Sequence, residues 1–515
     1  MASDGETHYQ TLIMKESLRY LLWVFTATVW TTLCFITPDF IDSPFEGVYG
    51  LLLVCGFIVL CGIGSFFLLY IIGCNKYVTA VVLPLWAVTG AALSYYRVGY
   101  HVTLTPMLID ATLHTNIEEA AGVIAWEAVV WTIMQLVIAV LFIRWRWRRI
   151  HVPHAWIHCL AACLVLCIYF NGNRRLRSSL RQRFPYTVSY TIREYISLQH
   201  DIASERRIPD FTVTEQPDSL SIVLILGGAV RADHLQLNGY ERETTPLLQA
   251  RDNVITLPHI RTEQTHTLAS LPVILTRADS AHEDYQYTET SFITVFRQAG
   301  YRTAWISNQD LGRTFTHFIA ESDTAIFPNA GKSVYVFSRW LDEELIPLMN
   351  SAFVPCPPRT LYVLHAIGSH WDYNTHVPAD MYHFLPLTSN RTIAANSIEQ
   401  VVNSYDNTIR YMDYFVDSVI ATLVDKKALV IYQSDHGESL GENNKFLHGN
   451  DEECCKQPAC IVWYSDSFAE AYPDKIKALV ANKDKRYHTD YVFYSILYAA
   501  GIEAEGDCPE ANIFR

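Results

Sequence analysis

The sequence predicts a helical membrane domain followed by a soluble α/β domain whose mostly parallel sheet is covered by helices. The first third of the chain contains five long apolar stretches, and from about residue 218 short apolar runs alternate with segments of helical pattern. Strands that are apolar on both faces are typical of a parallel sheet buried between helix layers. We therefore expect a transmembrane domain over residues 1–171, an interfacial linker over 172–217 and a soluble α/β domain over 218–515.

The five apolar stretches have the length of membrane spans. About 20 apolar residues suffice for a helix to cross a bilayer. One such stretch is also compatible with a buried core helix, but five in succession indicate a membrane domain. The amino-terminal region lacks the pattern of a cleavable signal peptide, so the first span is expected to serve as an uncleaved anchor. The stretches lie near residues 18–36, 50–73, 77–95, 122–143 and 153–171.

The charges of the loops predict how the chain is oriented. Residues 144–149 read RWRWRR, whereas the loop near 37–49 is acidic and lacks Lys and Arg, so the positive-inside rule places the first of these in the cytoplasm. An odd number of spans then puts the soluble domain on the outer side. The arginines at 174–183 depart from the rule, and we interpret them as an interfacial basic stretch on anionic headgroups. The alternative is that the fifth stretch does not cross, which leaves the soluble domain in the cytosol.

Composition bounds the partners and the redox chemistry of the chain. The net charge is −14 and no long basic tract lies outside the membrane flanks, so we expect no nucleic-acid partner. An exported domain permits disulfides. An odd number of soluble cysteines leaves at least one without an intramolecular partner. The cysteines of the soluble part are Cys356, Cys454, Cys455, Cys460 and Cys508.

Short apolar runs predict the strands of the soluble domain. Helical patterns lie between them at residues 291–299 and 398–423. In an open α/β sheet the chemistry lies beyond the carboxyl ends of the strands. The predicted strands are residues 221–226, 303–306, 360–364, 428–432 and 459–463.

Polar residues follow three of these strands. Residues 434–442 read SDHGESLGE after the fourth strand, residues 231–234 read RADH after the first, and residues 365–370 read HAIGSH after the third. Carboxylate and imidazole groups are ordinary zinc ligands, so Asp435 and His436 are candidate metal ligands. Asp-His-Gly alone is equally compatible with a polar surface turn, and the longer string is much more specific.

The string at 434–442, together with FLHG at 446–449, resembles the membrane phosphoethanolamine transferases of the alkaline-phosphatase-like superfamily. The segment TEQTHTLASLP at 262–272 resembles the part of that family that contains a nucleophilic threonine. The resemblance implies an alkaline-phosphatase-like α/β fold, one or two zinc ions and a threonine nucleophile. Counting back from Pro272 places the nucleophile at Thr265, with Thr267 as the second candidate.

The resemblance also implies the roles of individual residues. Zinc at Asp435, His436 and Thr265 would lower the pKa of the threonine hydroxyl and neutralise phosphoryl oxygens. Residues that would bind the substrate, a second metal or the leaving group include three histidines, each also compatible with a structural hydrogen-bonded role. An outer loop of the membrane domain would meet the lipid. These substrate-binding candidates are His365, His370, His448, Asn116 and Glu119.

The activity that the resemblance implies is a transfer of phosphoethanolamine. A threonine attacks the phosphorus of phosphatidylethanolamine, and the covalent phospho-threonine intermediate then passes the group to an envelope glycolipid, such as lipid A or a core sugar. The implied enzyme is a monomer that crosses the bacterial inner membrane several times, with its catalytic domain in the periplasm.

One position departs from the family pattern. Family members have a metal-binding Glu after the first Gly of the first strand end, and residues 227–231 here read GGAVR, so Gly228 occupies that position. Either the chain is a catalytically impaired or inactive member, or a nearby acid such as Asp233 or Glu263 substitutes.

Two other classes of function remain open. One is a sulfatase-like hydrolase or phosphodiesterase, although no Cys/Ser-x-Pro-x-Arg maturation motif lies near Thr265. The other is a non-catalytic membrane protein that binds lipid or a partner, which the glycine at position 228 favours. Metal content separates this last class from the enzymes.

Overall fold

The structure is a computed structural model in which the chain divides into two compact units, with the boundary at Ser197 and Leu198. This boundary lies within the stretch 172–217 that the sequence predicts as a linker. The candidates Asn116 and Glu119 lie outside the described residues. The structure describes residues 2–41, 47–100, 103–106, 108–109, 126–152, 155–171, 180–181, 183–202, 204–309, 311, 315–329, 341–390 and 393–515.

The first unit is helical, as predicted. Four helical segments in the described part of the chain are long and apolar enough to cross a membrane: Met14–Phe40, Gly47–Cys74, Lys76–Gly99 and Trp126–Arg149. A fifth apolar segment, Ala155–Tyr169, is shorter, so the predicted count of about five is approximate. The helices are α1 (Ala2–Thr31), α2 (Gly47–Cys74), α3 (Lys76–Tyr100), α4 (Trp126–Arg149), α5 (Ala155–Asn171) and α6 (Tyr186–Ile202), which runs past the boundary.

Aromatic packing and buried hydrogen bonds hold these helices together. The indole N–H of Trp30 on α1 donates to Gln135 Oε1 on α4 over 2.8 Å, and both side chains are buried. Gly90 on α3 lets the ring of Phe35 approach, because a Cβ there would lie 2.7 Å from that ring. Close packing and buried polar contacts are what associate helices in lipid, where the hydrophobic effect between them is lost.

The second unit is built on a seven-stranded sheet in the order β3-β11-β8-β2-β7-β5-β6. The neighbours β2–β7, β2–β8, β5–β7 and β5–β6 are parallel, whereas β11 is antiparallel to both β8 and β3. The sheet is thus mostly parallel with an antiparallel edge, which confirms the predicted class. Its strands are β2 (Leu220–Gly227), β3 (Val254–Thr256), β5 (Arg302–Ser307), β6 (Thr324–Ile326), β7 (Arg359–His365), β8 (Ala428–Ser434) and β11 (Cys460–Tyr464).

All five predicted strands are present within one or two residues, and the structure adds the short edge strands β3 and β6. Three two-stranded ladders lie outside the main sheet. They pair β1 with β13, β4 with β12 and β9 with β10: β1 (Phe211–Val213), β4 (Ile260–Arg261), β9 (Ser439–Leu440), β10 (Phe446–Leu447), β12 (Tyr487–His488) and β13 (Ile502–Ala504).

Helices cover both faces of the sheet. The two predicted helices are present, and the longer one begins with a capping box in which Ser397 and Gln400 satisfy each other's backbone N–H groups. The helices are α7 (Pro246–Gln249), α8 (Thr267–Leu275), α9 (Tyr285–Thr288), α10 (Phe292–Gln298), α11 (Thr316–Ile319), α12 (Leu345–Ser351), α13 (Ile398–Ala421), α14 (Asp466–Ala471), α15 (Pro473–Asn482) and α16 (Tyr491–Ala499).

Each face of the sheet has its own apolar core. Successive side chains of a strand point to opposite faces, so Leu224 of β2 packs in the cluster that contains Phe292 of α10. Ile225 packs in the other cluster, with Ile409 of α13. Because both faces are buried, β2 has no solvent-exposed polar face, which is why residues 222–226 are continuously apolar.

Truncation of the central strand tests this arrangement. We expect Leu224→Ala to lower the free energy of unfolding of the soluble unit by about 2–5 kcal/mol, because the side chain is fully buried and leaves a cavity. Val480→Ala removes a half-exposed side chain from α15 and serves as the control, with an expected change within about 0.5 kcal/mol. Denaturant unfolding of the detergent-purified protein followed by tryptophan fluorescence measures both; equal effects would contradict the central position of β2.

Candidate active site

The candidate site lies at the carboxyl ends of β2, β7 and β8. In the register of the sheet Gly227 of β2 is opposite Ser434 of β8, and Leu226 is opposite His365 of β7. The next residues continue the pairing, because the N–H of Asp435 donates to Gly227 O over 2.9 Å. The three strand ends with polar sequences therefore meet at one edge of the sheet, as the strand-end rule predicts.

Asp435 is the centre of this edge. It is 2% exposed, and its Oδ1 accepts hydrogen bonds from the backbone N–H groups of Ala229, at 3.1 Å, and His436, at 2.8 Å. Its Oδ2 accepts the hydroxyl of Thr267 over 2.5 Å. A carboxylate held by two backbone donors keeps a fixed orientation, so its second oxygen holds the threonine hydroxyl in place.

The start of a helix places Thr267 beside Asp435. Thr267 is the first residue of α8, so its hydroxyl stands at the positive amino-terminal end of that helix. Thr265, the first candidate from the sequence, has its carbonyl oxygen on the N–H of Gly449 at 2.8 Å. Within the described residues the Thr265 hydroxyl makes no hydrogen bond to the Asp435 carboxylate. The geometry therefore favours the second sequence candidate, because the α8 start cannot be located from spacing alone.

A group of potential metal ligands begins next to Asp435. His436 Nε2 lies 3.5 Å from Asp435 Oδ2, while its Nδ1 is 2.8 Å from Gly437 O. Because Nδ1 donates to that carbonyl in the tautomer we assign, Nε2 is left as the ligand atom. One ligand atom from each of His436, Glu438 and His448 lies within 4.8 Å of the others.

Glu438 also belongs to this group, although no role was predicted for it from the sequence. Its carboxylate is fully buried, and it accepts the Tyr373 hydroxyl on Oε1 at 3.0 Å. Its Oε2 lies 2.9 Å from Nδ1 of His448. The string SDHGESLGE contains Glu438, but the direction of its side chain depends on the sharp turn after β8, which the string does not reveal. Glu438 thus fixes the ring of His448 toward the site.

The three candidate histidines differ in environment. His370 and His448 lie 5.9 Å apart between ring centroids, and His436 and His448 lie 4.5 Å apart. His365 instead packs edge-on against Trp305, at 5.6 Å, and is 2% exposed. His370 and His448 therefore line the site, whereas His365 lies in the sheet beneath it.

Burial and Glu438 set the charge states of these rings. Burial lowers the pKa of His365 to about 4 and also lowers the pKa of His370, so both are neutral near pH 7. Burial acts in the same direction on His448, but the hydrogen bond and the charge of Glu438 outweigh it and raise its pKa. His448 is therefore the ring of this group that is most readily protonated.

Gly228 is enclosed by backbone. A Cβ atom there would lie 2.6 Å from the carbonyl oxygen of Ile367, and the Gly228 carbonyl accepts the N–H of Ser369 at 2.8 Å. Gly368 has a φ of +62°, and a Cβ there would lie 2.5 Å from the backbone N and O of Gly228. The turn after β7 thus occupies the space into which a side chain at position 228 would extend.

A buried acid holds that turn in place. The two oxygens of Asp342 accept the N–H groups of Ile367, at 2.8 Å, and Gly368, at 3.0 Å. Asn308 donates a third hydrogen bond to the same carboxylate over 2.9 Å. Burial raises the pKa of Asp342, and these donors oppose the rise by stabilising the charged form. The closed turn at Gly228 is therefore fixed by the fold.

The two acids proposed as substitutes for the missing Glu have other partners. Asp233 pairs with Arg231 over 2.6 Å and its side chain is 50% exposed. Glu263 pairs with Arg261 over 2.8 Å and is 55% exposed. The acid that lies with the metal-ligand group is Glu438 instead.

The loop that follows His448 packs directly against the site. The N–H of Gly437 donates to Cys455 O over 2.8 Å, and a Cβ at Gly437 would lie only 1.9 Å from Cys454 O. This explains why a glycine follows His436. The five cysteines of the soluble unit, Cys454 and Cys455 included, are free thiols in the structure.

The fold and the site together define a class of protein. A membrane-anchored α/β unit with aspartate, histidine and a threonine hydroxyl at its strand ends has the parts of a phosphoryl- or sulfuryl-transferring enzyme of the alkaline-phosphatase-like type. A family model described as sulfatase matches residues 221–502, and one described as phosphoethanolamine transferase EptA/EptB matches residues 63–173. The chain belongs to this sulfatase family and, within the alkaline-phosphatase-like superfamily, to the phosphoethanolamine transferases.

Individual relatives agree with this assignment. The phosphoethanolamine transferase EptA of Escherichia coli strain K12 is 24% identical over 96% of each chain. The integral membrane lipooligosaccharide phosphoethanolamine transferase A of Neisseria meningitidis has a TM-score of 0.54 and 23% identity, over 96% of this chain and 98% of that one. The periplasmic domain of EptC from Escherichia coli, solved in complex with Zn, has a TM-score of 0.55 and 22% identity, over 61% of this chain and 90% of that one.

Substitution at Gly228 tests the closed turn. We expect Gly228→Ala and Gly228→Glu each to lower the free energy of unfolding by about 1–3 kcal/mol, because the new Cβ meets Ile367 O, and neither variant to hold more zinc than the native protein. Gly56→Ala, where a Cβ meets no atom within 4 Å, is the control and should change stability little. Unfolding and metal analysis of purified protein measure these quantities. A Gly228→Glu protein that gains zinc at unchanged stability would contradict the closed turn.

Proposed function

We propose that the protein transfers phosphoethanolamine from phosphatidylethanolamine to an envelope glycolipid through a covalent intermediate on Thr267. The observation that supports this most directly is the hydrogen bond of the Thr267 hydroxyl to Asp435 at the start of α8. Membership of the phosphoethanolamine transferases supplies the reaction, and the apolar helices of the first unit suit a lipid donor.

The first half of the reaction uses the residues at the strand ends. The Thr267 oxygen attacks phosphorus, and its proton passes to Asp435 Oδ2, which already accepts the hydroxyl. The bond from phosphorus to the glyceride oxygen breaks, and that oxygen takes up the proton as diacylglycerol leaves. The amino-terminal end of α8 favours the negative charge that develops on the phosphoryl oxygens. In the second half a glycolipid hydroxyl, or the P–O–H of a singly protonated phosphate, attacks the phospho-threonine. The acceptor's proton passes by way of Asp435 Oδ2 to the Thr267 oxygen, which leaves as a hydroxyl.

The donor set fits a zinc ion without residue 228. Asp435, His436, Glu438 and His448 offer two carboxylates and two imidazoles, which are ordinary zinc ligands. When bound, zinc lowers the pKa of the attacking hydroxyl and neutralises charge on the phosphoryl group. We propose that Glu438 and His448 complete the site of Asp435 and His436, which replaces the substitutes Asp233 and Glu263 of the sequence analysis. One or two ions are compatible with this set.

This ligand set favours an active enzyme over a catalytically impaired one, because residues other than 228 supply the carboxylate that the family Glu would supply. The hydrolase alternative uses the same intermediate with water as the acceptor. The similar protein of Neisseria meningitidis is named a lipooligosaccharide phosphoethanolamine transferase, and we propose lipid A or a core sugar of that glycolipid class as the acceptor here. We also propose a monomer in the bacterial inner membrane with its catalytic unit in the periplasm, Asn116 and Glu119 meeting the lipid.

Substitution of each threonine tests whether Thr267 or Thr265 is the nucleophile. We expect Thr267→Ala to lower diacylglycerol release from labelled phosphatidylethanolamine by more than about 1000-fold, because it removes the attacking oxygen. Thr265→Ala is the matched control and should keep most of the activity, since the contact of Thr265 to Gly449 uses its backbone. Intact-protein mass spectrometry should find one added phosphoethanolamine group in native protein and in Thr265→Ala but not in Thr267→Ala. The reverse pattern would assign the nucleophile to Thr265.

Metal content tests the proposed ligands. We expect Glu438→Gln and His448→Ala each to weaken zinc binding by about 10–100-fold, because each removes a ligand or the group that orients it. His282→Ala, an exposed histidine away from the strand ends, is the control and should leave binding unchanged. Zinc retained against a graded chelator measures affinity without reference to activity. Native protein that holds no zinc would support the impaired alternative, and unchanged binding in both variants would exclude Glu438 and His448 as ligands.

A further inference from the structure

A basic cleft lies at one end of the helical unit and contains no residue of the candidate active site. It has a volume of about 1050 Å³ and is formed by the middle of α1, the turn between α2 and α3, and the end of α4 with the residues that follow it. We propose that this cleft binds the phosphate of an anionic phospholipid headgroup, such as that of phosphatidylglycerol or cardiolipin. The proposal goes beyond the transferase reaction, whose proposed donor, phosphatidylethanolamine, has no net charge.

The charge of the cleft is strongly positive. Arg19, Lys76, Arg148 and Arg149 line it, and among the described side chains of its wall the acidic one is Glu16. Glu16 already accepts hydrogen bonds from Arg19 at 2.6 Å and from the backbone N–H of His151 at 3.0 Å.

The two arginines at the end of α4 are the groups available to a ligand. Arg148 and Arg149 are exposed, and within the described parts of the chain their guanidinium groups form no ion pair with a protein carboxylate. A concentration of basic side chains with so little neutralising acid attracts an anion.

The shape of the cleft is fixed by another arginine that is not free to bind. Arg146 is 4% exposed and donates to Gly73 O at 2.7 Å, Ile150 O at 2.8 Å and Cys74 O at 3.3 Å. These carbonyls belong to the end of α2 and to the residue that follows α4, where a helix leaves carbonyl groups without intrahelical partners. Arg146 therefore ties the helix ends into one wall, and Arg148 and Arg149 continue from that wall.

Aromatic residues place the cleft at the level of lipid headgroups. Lys76 Nζ lies 4.7 Å from the ring of Trp147 and 5.2 Å from that of Tyr77, and the Trp147 indole donates to Lys76 O over 3.1 Å. Trp and Tyr concentrate at membrane–water interfaces. A headgroup phosphate in the cleft would thus have basic side chains around it while its acyl chains continue along the apolar helices.

Lipid binding to the full-length, detergent-purified protein tests the proposal. The probes are phosphatidylglycerol, cardiolipin and phosphatidylcholine, each titrated and counted as bound lipid by native mass spectrometry, with inorganic phosphate as a soluble competitor. We expect tighter binding of the two anionic lipids than of phosphatidylcholine. Arg148→Gln/Arg149→Gln should weaken the anionic lipids by at least about tenfold, since each basic residue near the surface contributes to the attraction.

The control removes the same charge outside the cleft. Lys15→Gln/Arg144→Gln changes two exposed basic residues on α1 and α4 that do not line it, and should leave anionic-lipid binding almost unchanged. Equal losses in both double variants, or no preference for anionic lipid in the native protein, would overturn the proposal. Displacement by millimolar inorganic phosphate alone would show a simple anion site and would overturn the lipid assignment.

Discussion

The in-register pairing of β2 with β7 and β8 is the constraint on which the rest of the site depends. Because the three strands are parallel and end at the same level, their loops leave the sheet side by side. The hydrogen bond from the Asp435 N–H to Gly227 O extends this alignment by one residue beyond the strand. Asp435 is thereby turned toward α8, and the Thr267 hydroxyl meets its free oxygen. A slip of one residue in β8 would send Asp435 to the opposite face of the sheet.

The turn after β7, at the same edge of the sheet, explains why position 228 has no room for a side chain. The turn at Ile367 and Gly368 lies where a side chain at 228 would project, and Asp342 holds that turn through two backbone hydrogen bonds. The backbone of that turn therefore fills the space beside Gly228. Glu438, in the loop that follows β8, is the buried carboxylate that is hydrogen-bonded to His448.

In the helical unit, some buried polar side chains are paired with protein groups on other helices. Trp30 with Gln135, and Arg146 with the carbonyls at the helix ends, are examples. In an apolar environment an unpaired polar group is costly, so these contacts specify which helix faces meet. The basic residues of the string RWRWRR also differ in their contacts. Arg146 is structural, whereas Arg148 and Arg149 face the cleft.

The sequence by itself determined the two-part architecture, the five central strands and the residues of the Asp-His loop, because continuous apolar runs and a long specific string are local signals. It also determined the glycine at position 228. Only the tertiary structure decided that Thr267, not Thr265, meets Asp435, because the start of α8 sets which hydroxyl points to the sheet. It likewise placed His365 in the core and Glu438 beside His448, since side-chain direction after a strand depends on turns whose partners, such as Cys454 and Asp342, are distant in the chain. Such contacts join residues that are distant in the chain, so they produce no local sequence pattern from which they could be predicted.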